Sequence, residues 1–159
     1  MERFSNNRDE FFNQVKIELS TIKSPKGIFT RFIYLEIPYF MRYGFSISGF
    51  EESTSELLVK SWDAEYDWKR FKIGVFNLDR LAIHEHTIVL NQAEINELNI
   101  LLTKELGLVE WKGITLDGFY CQLTTKATKL NWNTNYEINA NMIALIDFLR
   151  GKVHQTLAI

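Results

Sequence analysis

Cysteine and proline are scarce in this chain of 159 residues, which holds one cysteine, Cys121, and two prolines, Pro25 and Pro38. A single cysteine cannot form an internal disulfide, and such usage is typical of a reducing compartment. Two prolines leave little room for a proline-rich linker between domains. We therefore expect one globular domain over residues 1–159, with short terminal tails and a core that needs neither a disulfide nor a metal.

Long apolar runs and net basic charge are also lacking. No window approaches the ~18 consecutive apolar residues of a membrane span, and the first nine residues contain no apolar signal segment. The formal net charge is −2, whereas nucleic-acid-binding proteins usually carry a basic patch. We therefore expect a cytoplasmic protein with neither a membrane nor a nucleic acid as its partner.

Motifs for catalysis or cofactor binding are missing from the sequence as well. The eight glycines are scattered singly, so no glycine-rich phosphate-binding loop occurs. No G-x-S-x-G nucleophile elbow is present either. The sequence therefore predicts no cofactor, and an enzyme function has no motif to rest on.

Two histidines form the only arrangement that resembles a metal pair. On a strand, His84 and His86 would project from the same face, but a zinc site needs at least one more protein ligand. We favour solvated histidines at the end of a strand, and a metal site at His84 and His86 is the alternative.

Apolar periodicity predicts three helices, over residues 8–23, 92–106 and 137–150. Asn6 or Asn7 suits the N-cap of the first helix. A capping box of Asn91 and Glu94 begins the second, which Gly107 ends. The same spacing from Thr134 begins the third, which Gly151 ends.

Extended segments fill much of the remaining chain. Residues 28–47 are rich in β-forming side chains but interrupted at Pro38 and Gly44, which predicts two strands or one bent strand. Further strands are predicted over residues 56–62, 72–78 and 81–90. Residues 63–70 fit either a helical turn or an exposed strand, and 127–133 is predicted to be a polar loop that carries Trp132.

The dipeptide Asp117-Gly118 predicts a β-hairpin, because a type I′ turn needs positive φ at both central positions. Pairing about this turn would place Ile114 opposite Cys121 and Lys112 opposite Leu123, with Cys121 facing inward. Tyr120 and Gln122 would lie on the polar face. Together, these elements predict an α+β fold: an antiparallel sheet of five or more strands with about three helices, at least two of which pack on one face.

The segment from Glu51 to Asp67 has six carboxylates against one lysine, a local charge of −5, and it contains or adjoins large aromatic residues. One interpretation is a solvated edge whose tryptophans cover the core. The other is a surface that binds a basic protein, since carboxylates steer association and aromatic residues dominate interface energies. The predicted contact residues are Trp62, Asp63, Glu65, Tyr66, Asp67 and Trp68.

The C-terminal half carries a strand at residues 87–91, a Leu-rich helix, an LDG hairpin, a Trp-bearing loop and a final helix. In this it resembles small bacterial immunity-like domains. The resemblance implies a small cytosolic protein that blocks the active site of a toxin from the same or a rival cell. The function expected on this basis is non-catalytic protein binding, with a basic toxin domain as the partner.

Two other classes of function stay open. A ligand-binding or metal-dependent enzymatic domain could use a pocket lined by Tyr34, Tyr39, Tyr43 and the histidines. The surplus of aromatic residues, 14% of the chain, also fits a subunit of a larger assembly, and the oligomeric state is open.

Overall fold

A computed structural model describes residues 7–22, 29–38, 43–74, 77–78, 80–114 and 118–157. The fold is α+β, as the sequence predicts. In chain order the elements within these ranges are α1 (Arg8–Ser20), β1 (Thr30–Pro38), β2 (Gly44–Phe50), β3 (Glu56–Trp62), α2 (Ala64–Lys72), β4 (Ile83–Val89), α3 (Gln92–Thr103), β5 (Leu108–Trp111), β6 (Phe119–Thr125), β7 (Lys129–Asn133), β8 (Tyr136–Ile138) and α4 (Ala140–Leu157).

Six strands form one antiparallel sheet in the order β4-β3-β2-β1-β6-β7, and β5 and β8 form a separate two-stranded ribbon. The first four strands follow each other as a meander, with α2 inserted before β4. Strand β6 then pairs with the far edge of β1. The two halves of the chain therefore share one sheet.

The predicted hairpin about Asp117-Gly118 is wrong in its strand pairing. Both edges of β6 are occupied: Cys121 lies opposite Glu36 of β1 and opposite Trp132 of β7, so Ile114 cannot pair with it. Leu123 is likewise enclosed by β1 and β7, which excludes Lys112. Strand β5 pairs with β8 instead, and residues 115–117 lie outside the described residues.

Helices α3 and α4 pack on one face of the sheet, in agreement with the prediction of at least two helices on one face, and α1 and α2 cover the other face. The α3/α4 face carries the larger core, in which Tyr34, Ile47 and Val59 lie side by side on neighbouring strands. The α1/α2 face carries Leu35, Ile37 and Trp62 with the apolar residues of α1 and α2. Inside the described ranges, no helix is both long and apolar enough to cross a membrane.

Local signals place the helix starts better than the helix ends. Asn7 caps α1 and the Asn91 capping box begins α3, as predicted. The last helix begins later than expected, with Asn139 accepting from the Met142 amide, because residues 136–138 form β8. Gly151 lies inside α4 rather than at its end.

Three further segments differ from the sequence prediction. Residues 64–72 form the helix α2, so the ambiguous segment is helical and the predicted strand over 72–78 begins within this helix. The predicted loop at 127–133 contains β7, whose Trp132 is buried in the α3/α4 core. Strand β7 pairs with β6, where Trp132 lies opposite Cys121 and points to the same face of the sheet. That face is covered by α3 and α4, so the indole of Trp132 is buried.

Candidate functional site

The six residues predicted as a binding surface are divided by the fold between the interior and the surface. Trp62 and Asp67 are fully buried, and Trp68 is 8% exposed. These three side chains are therefore unavailable for direct contact with a partner, and the interpretation that the tryptophans cover the core is the better one for them. Tyr66 and Glu65 are exposed.

Asp67 holds α2 onto the sheet through hydrogen bonds to buried groups. One carboxylate oxygen, Oδ2, accepts from the Trp62 indole nitrogen at 2.8 Å and from the Ala82 amide at 2.9 Å. The other oxygen, Oδ1, lies 3.3 Å from Arg70. Burial raises the pKa of Asp67, although these bonds oppose the shift. The carboxylate is thus a structural acceptor within the core.

Trp68 belongs to an aromatic cluster between α1 and α2. Its ring meets Phe11 edge-on at 4.7 Å and Phe71 at 5.6 Å between centroids. The guanidinium of Arg8 lies 5.4 Å above the ring. These contacts fix the two helices side by side on the α1/α2 face.

The three members of the predicted site that reach the surface lie at the start of α2, where Asp63 is half-buried and Glu65 and Tyr66 are exposed. Asp63 is its N-cap and accepts from the Tyr66 amide at 2.9 Å. Glu65 pairs with Lys69 at 2.8 Å, a hydrogen bond that lowers the pKa of Glu65. Arg70 lies over the Tyr66 ring. The negative charge of this surface is therefore largely balanced by its own helix.

The acidic segment does not form one continuous surface. Glu51, Glu52 and Glu56 lie at the beginning of β3, and Asp63 follows its end. Six residue steps along a strand separate these ends by about 20 Å. The local charge of −5 is thus split between two ends of the sheet, with Asp67 removed into the core.

The histidine pair lies on β4, an edge strand of the sheet. His84 pairs with Ser61 and His86 with Val59, so both point toward the α3/α4 face as their spacing predicts. Across the described ranges, no group of three or more His, Cys, Asp or Glu side chains is placed to hold a metal. The metal alternative at His84 and His86 thus gains no third ligand from these ranges.

Tyr34 and Tyr43, the two described tyrosines of the proposed pocket, differ in burial and do not line a common site. Tyr34 is fully buried, Tyr43 is 54% exposed, and Tyr39 lies outside the described residues. In place of a pocket, Tyr34 donates to Glu36 at 2.8 Å, and the Arg150 Nε donates to the same carboxylate oxygen at 2.8 Å. These bonds pair a buried carboxylate with groups on β1 and α4.

Cys121 borders this buried network. Its Sγ lies 3.7 Å from the Tyr34 hydroxyl, and burial raises the pKa of the Cys121 thiol to about 12. A thiol with so high a pKa is a poor nucleophile at neutral pH. Cys121 is therefore a core residue, in agreement with its predicted inward direction.

The outer part of the α1/α2 face carries an accessible array of polar side chains. Helix α1 packs on β1, β2 and β3, and the described helices leave β6 and β7 partly open to solvent on this side. We call this part of the sheet the open sheet face. Its side chains are Tyr120, Gln122, Thr124, Lys129, Asn131 and Asn133.

Neighbouring side chains of the open sheet face contact one another. The Tyr120 hydroxyl lies 3.3 Å from the side-chain amide oxygen of Gln122 and 3.5 Å from the side-chain amide oxygen of Asn131. At the border, the Lys16 ammonium lies 4.1 Å above the Tyr120 ring, and burial lowers the pKa of Lys16. Lys16 has no carboxylate partner among the residues that the structure describes. The array is thus ordered, rich in amides and mildly basic.

Part of the open sheet face was visible in the sequence. The alternation along residues 119–125 predicted that Tyr120 and Gln122 share a polar face, and the structure confirms it. Asn131 and Asn133 were missed because their segment was predicted to be a loop. Comparison of the chain with protein families, with curated proteins and with solved structures gave no match.

Proposed function

We propose that this protein is a non-catalytic protein-binding domain that contacts its partner through the open sheet face. The observation that carries the proposal is the array of Tyr120, Gln122 and Asn131 on paired strands beside α1. Tyrosine gives a large contact area at low entropic cost, and amide side chains give adaptable hydrogen bonds. Strands hold such groups more rigidly than loops do.

The charge of the open sheet face indicates a polar partner surface. Lys16 and Lys129 contribute two ammonium groups, and Lys129 is exposed. A partner that supplies carboxylates near these lysines would gain both steering and charge-assisted hydrogen bonds.

A finer proposal is that the partner is a toxin and that the protein acts as an immunity protein by steric occlusion. It is supported by the resemblance of the C-terminal half to immunity-like domains. The exposure of Glu65 and Tyr66, beside the half-buried Asp63, supports it too, since these residues offer a second contact for a basic partner. In this proposal the two surfaces lie on either side of α1.

The proposal is tested by capturing the partner with the tagged protein in its native cells and measuring the affinity of the purified pair. Tyr120→Ala combined with Asn131→Ala should raise Kd about thirtyfold for each ~2 kcal/mol of hot-spot energy lost. Glu97→Ala, an exposed change on α3, is the matched control and should leave Kd unchanged.

A second variant set separates the two candidate surfaces. Asp63→Asn keeps the helix cap, and combined with Glu65→Lys and Tyr66→Ala it removes the contacts of the α2 surface. If the open-face variant binds with the wild-type Kd and the α2 variant does not, the contact surface is on α2 and not on the open sheet face. Full binding by both sets would contradict the proposal.

A further inference from the structure

The ribbon of β5 and β8 carries an exposed apolar edge. All four residues of β5 are exposed, and Val109 and Trp111 expose 58% and 59% of their surface. Tyr136, opposite Trp111 on β8, is 40% exposed. A two-stranded ribbon is marginal by itself, and an edge of this kind is a template for another strand.

The hydrogen-bonding groups of Trp111 point away from β8. The Lys112 amide donates to the Asn135 carbonyl, which makes Trp111 and Tyr136 a non-hydrogen-bonded pair of the antiparallel ribbon. In such a pair the N–H and C=O of each residue face outward. Trp111 therefore offers one donor and one acceptor along the outer edge of β5, which we call the free edge because no strand of the described residues pairs with it.

The charges that flank Trp111 are self-complementary. Glu110 and Lys112 are both exposed, and neither side chain has an ion-pair partner in the described ranges. If a second copy pairs antiparallel about a two-fold axis at Trp111, each Glu110 lies opposite the Lys112 of the other copy. These two pairs are non-hydrogen-bonded pairs, in which side chains approach most closely.

The same register aligns four aromatic rings. Residues directly opposite each other on neighbouring strands project from the same face, so Trp111 shares a face with Tyr136. Across the two-fold axis the row becomes tyrosine, tryptophan, tryptophan, tyrosine. Cross-strand aromatic pairs stabilise sheets.

The irregularity of β5 limits the length of this pairing. The register with β8 shifts between Leu108 and Trp111, where Val109 and Glu110 together stand opposite Glu137, so β5 is bulged at these two residues. The bulge ends the regular edge on that side, so the pairing is centred on Trp111 and includes only its two neighbours, Glu110 and Lys112. A contact of this size fits a reversible association.

We propose that the free edge of β5 is a homodimer interface, formed by antiparallel pairing of residues 110–112 with those of a second copy about Trp111. The interface lies on the ribbon, separate from the open sheet face, and does not depend on the proposed function.

The test exchanges the charges of Glu110 and Lys112 and measures association by analytical ultracentrifugation. The protein concentration runs from about 10 µM to about 1 mM, which covers the Kd expected of a weak dimer. The wild-type protein should shift from monomer to dimer across this range. Glu110→Lys alone and Lys112→Glu alone each place like charges opposite one another twice, which should raise the dimer Kd about tenfold or more. Glu97→Lys on α3, with the same change in charge, should dimerise like the wild type.

Two compensations make the test specific for the register. An equimolar mixture of the two single variants should form a heterodimer, because every like pair then becomes an opposite pair. The double variant carrying both changes should dimerise by itself. Any of three results would overturn the proposal: the wild type is monomeric at about 1 mM, the single variants still dimerise, or the double variant and the mixture both stay monomeric although folded. Thermal unfolding verifies the fold of each variant.

Discussion

Removing the carboxylate of Asp67 should destabilise the fold, although the residue lies in a segment that the sequence presents as a binding surface. Its Oδ2 is the shared acceptor of the Trp62 indole nitrogen and the Ala82 amide. Asp67→Ala deletes this acceptor and leaves two donors, the buried Trp62 indole N–H and the part-buried Ala82 amide, without their partner. Asp67→Asn keeps an oxygen of the same shape but removes the charge and turns an amide nitrogen toward Arg70.

The magnitudes follow from the number of bonds affected. An unsatisfied buried donor costs about 1–3 kcal/mol, so the two donors left by Asp67→Ala predict a loss of about 2–6 kcal/mol. Asp67→Asn replaces charge-assisted bonds with neutral ones and should lose about 1–2 kcal/mol. Since domains are stable by about 5–15 kcal/mol, the alanine variant should approach the limit of folding.

Urea unfolding followed by tryptophan fluorescence and circular dichroism measures both variants. Glu65→Gln is the matched control, because this exposed carboxylate, two residues before Asp67, pairs only with Lys69 among the described residues, and its unfolding midpoint should equal that of the wild type. The reasoning is refuted if Asp67→Ala loses no more than Asp67→Asn. Combining Asp67→Ala with Trp62→Phe should show non-additive losses, because one of the orphaned donors is then gone.

The pKa of Asp67 adds a pH dependence of definite sign. Burial raises this pKa in the folded state above its usual value of 3.8, so the folded chain binds more protons than the unfolded chain between the two values. The contribution of Asp67 to stability therefore decreases as pH rises through that window. Relative to Asp67→Asn, the wild type should be more stable at the acidic end of the window than at the neutral end.

Two further predictions concern single residues of β6 and its approach. Gly118→Ala should destabilise the fold by about 1–3 kcal/mol, since an added Cβ would lie 1.9 Å from the Thr134 hydroxyl, and Thr134→Ala should relieve part of this loss in a double-mutant cycle. Cys121 should not react with Ellman's reagent at pH 8 in the folded protein and should react fully in denaturant, because burial raises its thiol pKa to about 12.

The physical reason for glycine at position 118 differs from the one that the predicted Asp117-Gly118 turn would give. A type I′ turn would require positive φ at this residue, yet only Gly74 and Gly113 have positive φ among the glycines that the structure describes. The need for glycine comes from the close approach of Thr134, which begins the turn between β7 and β8. A close approach between distant segments has no signature in the local sequence.

Elements governed by short-range contacts could be predicted from the sequence. In α3 the Asn91 side chain accepts from the Glu94 amide at 2.9 Å, and the Glu94 carboxylate accepts from the Asn91 amide at 3.0 Å. Both bonds join residues three apart, so the residue types alone suffice. The start of α1 at Asn7 follows from the same kind of contact.

Strand pairing could not be predicted, because it joins distant segments. Glu36 lies opposite Cys121 across the contact of β1 with β6, at the centre of the sheet. The Asp117-Gly118 signal describes a turn that two neighbouring strands could form, but it carries no information about a third strand that competes for the same edge. In this chain β1 and β7 occupy both edges of β6, and the hairpin is lost.

The burial of Trp62 had a signal in β3 that was missed. Leu57 and Val59 lie on the α3/α4 face of this strand, and Leu58 and Trp62 lie on the other. A strand with apolar residues on both faces is typical of a sheet covered on both sides. That pattern predicts an interior Trp62, and an interior indole needs an acceptor, which Asp67 supplies.

Because the large side chains at the start of α2 stabilise the fold, we place the proposed contact on β6 and β7 instead. Helix packing and buried hydrogen bonds account for Trp62, Asp67 and Trp68 without any partner. The same explanation does not extend to Asn131, whose exposed side-chain amide supports no helix packing and lies 3.5 Å from the Tyr120 hydroxyl. Where a side chain already stabilises the core, its presence says nothing about binding. Tyr120 itself packs against the α1/α2 core, so the residues that inform most on function are the exposed Asn131 and Lys129 beside it.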